Sequence, residues 1–168
     1  MIFVTVGSHY EGFERLVKKM DEIAGKIDEK VIMQIGYGRY KPKNAEYFDF
    51  KNYSEFRELI QKARVVVCHG GVGAIITALE QGKPTIVVPR LKKYGEIIDN
   101  HQLEITGMLS KEGKIMAVYD IDQLEKVLEN IGKKSIKIEK DRRLVNFLKD
   151  YLSSLEKSLK RGGGNRWG

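Results

Sequence analysis

The chain has 168 residues, 42% of them hydrophobic and 32% charged, with a single cysteine. That length suits one domain with a full core, and a lone thiol excludes a disulfide scaffold. The formal net charge of +7 sits entirely in residues 133–168, which hold eleven Lys/Arg against four Asp/Glu, whereas residues 1–132 hold nineteen of each. Such a segment suits an anionic lipid, a nucleic acid or an acidic partner, and equally a solvated helix face. The apolar opening Met1 to Val6 is too short to span a bilayer and runs into a glycine turn, so a cytoplasmic chain is expected.

In chain order, Ile2 to Val6 reads as a strand turned by Gly7-Ser8-His9, and Glu11 to Ala24 as an amphipathic helix with Phe13, Leu16, Val17, Met20 and Ile23 at helical spacing. Val31 to Ile35 is a second strand ended by Gly36 and Gly38. A basic loop around Pro42 follows, then a short strand over Ala45 to Phe50. Ser54 is expected to cap a helix running to about Lys62, with Glu55 in its first turn.

Val65 to Cys68 is the β-branched run of a strand covered on both faces, which makes Cys68 a buried, inert thiol. His69-Gly70-Gly71-Val72-Gly73 turns into a helix over Ala74 to Gln81, stopped by Gly82 and Pro84. Bare backbone at Gly70, Gly71 and Gly73 lets a ligand approach a helix N-terminus, where unpaired N–H groups and the dipole favour phosphate. A tight turn that uses glycine for packing is the rival explanation. The spacing is neither G-x-G-x-x-G nor a P-loop, so neither nucleotide fingerprint is present.

Thr85 to Val88 is the next strand. The charged loop Arg90 to Ile98 follows, then a helix capped by Asp99 or Asn100 and continuing through His101, Gln102, Leu103 and Ile105. Lys114 to Val118 is a last strand, and Asp120 with Gln123 suggests a variant capping box. Leu144, Leu148, Tyr151, Leu152, Leu155 and Leu159 form an apolar stripe on a basic C-terminal helix, taken as residues 133–161, with a disordered tail over 162–168.

Strands alternating with helices predict an α/β fold: a Rossmann-like parallel sheet with helices on both faces, occupying residues 1–132. Ligands of such sheets bind beyond the carboxyl ends of the strands. Three polar clusters lie there: Gly7-Ser8-His9, His69-Gly70-Gly71, and Arg90 through Gln102.

Those clusters, together with Phe3-Val4-Thr5-Val6, Gly82-Lys83-Pro84 and Asp99-Asn100-His101-Gln102-Leu103-Glu104, resemble glycosyltransferase family 28 of the C-terminal-domain type. The resemblance covers about residues 1 to 130 and is shared with the donor-binding subunits of two-part transferases, those of exopolysaccharide synthesis most of all. It implies the C-terminal lobe of a two-lobed (GT-B) enzyme, holding a UDP-sugar. Gly7 and Ser8 would approach the diphosphate, and Gly70, Gly71 and Gly73 would hold it beside His69. Arg90 would join this binding set. Asn100 and Gln102 would bond the sugar with amides that both donate and accept.

Related one-chain enzymes carry a ribose-binding glutamate where Thr77 stands here, and Glu80 follows three residues later. Two lobes need roughly 300 residues, so a membrane-anchored partner would supply the acceptor lobe and a lipid-linked sugar acceptor. The chain would lie at the inner face of the membrane, with peripheral association through its C-terminal helix. His9 is the candidate catalytic base, and a turn histidine that bonds backbone or phosphate is the alternative. No metal, cofactor or nucleic acid is expected. A non-catalytic accessory subunit is the alternative function; a 2-epimerase would need both lobes.

Overall fold

The computed structural model describes residues 1–133 together with 143, 145–151, 153 and 154. Six strands form one parallel sheet: β1 (Ile2–Thr5), β2 (Val31–Gln34), β3 (Glu46–Phe48), β4 (Val65–Cys68), β5 (Thr85–Val87) and β6 (Met116–Ala117), in the spatial order β3-β2-β1-β4-β5-β6. Ile2 pairs with Val31 on one side and with Val65 on the other, so the chain reverses its direction of travel across the sheet between β1 and β4. That switch point is where open parallel sheets leave a crevice at their carboxyl edge.

The helices are α1 (Glu14–Ala24), α2 (Tyr53–Lys62), α3 (Val72–Glu80), α4 (His101–Lys111) and α5 (Leu124–Lys133). Alternate strand residues feed two cores. Val4, Val67 and Ile86 meet α1 and α5 on one face, while Phe3, Val66 and Val87 meet α2, α3 and α4 on the other. Every residue of β1 and β4 is buried, as their β-branched runs predict. The expected fold is therefore present.

Several boundaries differ, each for a local reason. Helix α1 begins at Glu14 rather than Glu11, because Gly12 has a φ of +66° that no helix accepts. Helix α2 is capped by Asn52, not Ser54: the Asn52 side chain accepts from the Glu55 N–H at 3.0 Å, and the Glu55 carboxylate accepts from the Asn52 N–H at 3.3 Å. Asp120 accepts from the Asp122 N–H, but it opens a single 3₁₀ turn (Ile121–Gln123) ahead of α5. Asn100 precedes α4 without a side-chain capping bond, and Asp99 accepts from the His101 N–H instead.

Residues 145–151 are helical, and Val145 and Leu148 are buried in the core shared by α2, α3 and α4. Lys149 reaches Glu80 at the end of α3, at 2.6 Å. This segment packs on the domain itself, and Leu148→Ala should lower stability by about 2–5 kcal/mol in a urea melt. Leu144, Leu152, Leu155, Leu159 and the tail 162–168 lie outside the described residues.

Candidate functional site

The loops after β1, β4 and β5 meet at the carboxyl edge of the sheet. Under the first, Thr5 Oγ1 donates to Gln34 Oε1 and accepts from the Gly7 N–H at 3.4 Å, while Gln34 Nε2 donates to the Gly7 carbonyl at 3.4 Å. This buried network places Gly7, whose φ is +72°.

Three of the glycines fit the packing explanation. A Cβ on Gly7 would lie 2.5 Å from the His69 imidazole, and one on Gly71 2.1 Å from His69 Nε2. A Cβ on Gly70 would lie 2.7 Å from the Cβ of Gln102. These three positions are bare because protein side chains occupy the room. Among the described residues nothing comes within 4 Å of a Cβ at Gly73, the one glycine of the cluster that opens onto free space there. It lies in the first turn of α3, where the amides of Val72, Gly73 and Ala74 precede the first intrahelical bond, from the Ile75 N–H to the Gly71 carbonyl. A helix start with open approach offers donors and a positive dipole end to an anion.

The His69 ring wedged between Gly7 and Gly71 is neutral. Burial pushes its pKa down to about 4, the nearby Arg90 cation adds to this, and among the described residues Nδ1 has no hydrogen-bond partner. Partial burial, and then Arg90, also lower His9. His9 Nδ1 accepts from the Glu11 N–H at 3.3 Å, and its ring stacks on Tyr10. In the neutral ring the proton then belongs on Nε2, which makes His9 a donor there. To act as the expected base it must first release Glu11. Ser8 is exposed beside it.

Arg90 does not present itself to a ligand. Its side chain is fully buried and stacks on Phe13, and its guanidinium donates to the carbonyls of Val6, Gly12 and Glu96. Burial pushes its pKa down to about 10. It is a clamp that binds the β5 loop to the β1 loop.

Gln102 ties the third side: its Oε1 accepts from the N–H groups of Gly70 and Arg90, each at 3.1 Å, which leaves the amide NH₂ for a ligand. Asn100 is exposed at the start of α4. Thr77 cannot stand in for a ribose-binding carboxylate, since it is buried and donates to the Gly73 carbonyl at 2.9 Å. Glu80 is held at the far end of α3 by Lys149.

Sequence reasoning missed the supports of these loops. Arg15 and Glu96 form a two-bond pair at 2.8 and 2.9 Å; Arg15 also donates to the Pro89 carbonyl, and Glu96 accepts from the Leu91 N–H. Buried Asp21 accepts from Tyr40 Oη and from the N–H groups of Lys43 and Asn44, fixing the basic loop after β2. Burial raises its pKa, but these bonds outweigh that and hold it below the usual carboxylate value. Asp21 had a detectable signal, an acid beside Met20 on an apolar stripe; Arg15 and Glu96 read as ordinary surface charges. Among the described residues no group of His, Cys, Asp and Glu could hold a metal ion, and no helix is long and apolar enough to cross a membrane.

The chain is similar to several known proteins. Human UDP-N-acetylglucosamine transferase subunit ALG13 is 36% identical over 124 residues, 68% of this chain and 10% of that one. The UDP-N-acetylglucosamine–N-acetylmuramyl-(pentapeptide) pyrophosphoryl-undecaprenol N-acetylglucosamine transferase of Prochlorococcus marinus is 25% identical over 151 residues, 89% of this chain and 39% of that one. The chain thus spans well under half the length of either relative. The crystal structure of CalG4, the calicheamicin glycosyltransferase, superposes with a TM-score of 0.66 at 16% identity, covering 98% of this chain and 43% of that one. It shows the same fold, one lobe of a longer chain. Residues 1–155 match the glycosyltransferase family 28 C-terminal domain, and the chain belongs to that family.

Proposed function

We propose that this chain is the donor-binding subunit of a two-component glycosyltransferase. It moves a hexose or N-acetylhexosamine from a UDP-sugar to a lipid-linked saccharide, and a membrane-anchored partner chain supplies the acceptor lobe at the cytoplasmic face. The observation that carries this reading is the open first turn of α3 at Gly73, set at the switch point of the sheet. The relatives named for UDP-N-acetylglucosamine transfer support the donor class.

In this reading the acceptor hydroxyl attacks the anomeric carbon as the bond to the diphosphate oxygen breaks; UDP leaves with the electron pair, and the hydroxyl proton is released to water. The α3 amides and dipole stabilise the charge that grows on the diphosphate. His9 contributes an Nε2–H to the same oxygens. Gln102 offers its NH₂ to the sugar, from a side chain whose oxygen already fixes two loops.

Gly71 is the wrong place to test this, since a side chain there strikes His69. Gly73→Trp fills space that is free in this structure, so the thermal melt should hold while UDP affinity in calorimetry falls at least about tenfold, the value of one lost charge-assisted bond. A variant that binds UDP as the parent does removes the site. The buried Thr77 favours a second reading, a non-catalytic accessory subunit that stabilises a partner transferase. No UDP binding at millimolar concentration, with the partner present, supports that one.

A further inference from the structure

The peptide that joins Pro89 to Arg90 is held at both of its ends. Its N–H donates to Gln102 Oε1 at 3.1 Å, and its carbonyl accepts from Arg15 Nη2 at 3.0 Å. The unit is trans and planar, so its carbonyl and N–H point in opposite directions, and fixing one aims the other. Arg15 on α1 and Gln102 on α4 are thereby linked through one rigid plate at the root of the β5 loop.

The Arg15 end is itself fixed. Its Nε and Nη2 meet the two oxygens of Glu96 at 2.8 and 2.9 Å, which directs the second Nη2 hydrogen at Pro89. The guanidinium lies 5.2 Å from the Phe13 ring centroid and 5.1 Å from that of Tyr94, with 16% of the side chain exposed. Glu96 Oε2 also accepts from the Leu91 N–H at 2.9 Å. At the other end, Gln102 Oε1 accepts from the Gly70 N–H as well, again at 3.1 Å. Two N–H donors converge on one atom, and only the oxygen of an amide accepts, so the NH₂ is the end left over. A pair that served only to pin the loop would be complete with Glu96 and Leu91. The third bond, to Pro89, acts on the plate that holds Gln102.

We propose that Arg15 is a positioning residue for recognition of the sugar: through the Pro89–Arg90 peptide it orients Gln102, so that the NH₂ meets an acceptor oxygen of the donor's sugar. This rests on the reading above, which supplies the donor, and gives a role to a residue that acts without touching the ligand.

The full chain carries the test, first without nucleotide. Amide hydrogen exchange followed by NMR reads the Gly70 N–H, which is bonded to Gln102 and not to Arg15. Arg15→Lys keeps a cation for Glu96, but an ammonium cannot fork between that carboxylate and the Pro89 carbonyl as a guanidinium does. It should speed exchange at Gly70 at least about tenfold, with Arg15→Met as fast or faster, and leave the Val67 amide in β4 unchanged. Calorimetry then compares UDP-N-acetylglucosamine with UDP. Both variants should lose at least about fivefold in affinity for the sugar nucleotide, the worth of one neutral hydrogen bond, while affinity for UDP stays within about twofold. In a Gln102→Ala background Arg15→Lys should cost nothing further, because the group it orients is gone. Unchanged exchange at Gly70, parent-like affinity for the sugar nucleotide in Arg15→Lys, equal losses for the two nucleotides, or additive losses with Gln102→Ala overturn this proposal alone. A parent chain that binds neither nucleotide overturns the reading above, and this proposal with it.

Discussion

Replacing Arg90 with methionine is expected to cost the domain about 3–5 kcal/mol, read as a fall in the urea midpoint. The aliphatic side chain fills most of the same volume, so the loss comes from hydrogen bonding rather than from a cavity. Without the guanidinium the carbonyls of Val6, Gly12 and Glu96 lose their buried donor together. Each orphaned group costs about 1–3 kcal/mol, and partial access of water recovers some of it. Arg90→Lys should recover less than half, because an ammonium cannot span three acceptors as a planar fork does. Donor affinity should fall in both variants, since the β1 and β5 loops separate. A methionine variant within 1 kcal/mol of the parent, on the same scale, shows that the clamp carries no weight.

The second large effect is one of pH, and it belongs to His69. Its folded-state pKa, about 4, lies below the ordinary value of 6.5 because burial disfavours the imidazolium. An unfolded chain takes up a proton near pH 6.5 that the folded chain refuses until about pH 4, so acid favours unfolding. The stability held by the neutral ring is complete above pH 6.5 and drains away down to about pH 4, a span of roughly 3 kcal/mol. Urea midpoints measured from pH 7.5 to pH 4 should trace this fall, and His69→Gln should flatten it. Glu29 titrates in a separate window: the Arg64 guanidinium first, and then the terminal ammonium, hold it at about 2, so its contribution is lost only below pH 4.5. Parallel curves for parent and variant across the upper window overturn the assignment.

The fold was legible because its signals are local. The run Val65 to Cys68 is a buried strand by composition alone, and alternation with amphipathic helices makes the sheet parallel. The glycines were legible as a cluster but not in purpose. Whether a missing Cβ admits a ligand or a neighbouring side chain depends on what folds against it, and Gly7 meets a histidine at position 69. Arg90 misled for the same reason, since a charged residue after a strand looks exposed until Phe13 and three carbonyls close around it. The capping of α2 was in plain view: Asn52 and Glu55 have the box spacing, and Ser54 drew attention two residues too late. Arg15 and Glu96 left no trace, because a pair 81 residues apart has no periodicity to betray it.

The imidazole lodged between two glycines couples three positions that lie far apart in the chain. Any bump added at residue 71 needs a matching hole at residue 69, so Gly71→Ala should be accepted in a His69→Ala background and rejected alone. Residue 7 will not follow that bump-and-hole rule, because its backbone angle bars L side chains even after the ring is cut away. Engineering of this pocket can therefore trade volume between α3 and the β4 turn, with the β1 turn as the fixed wall.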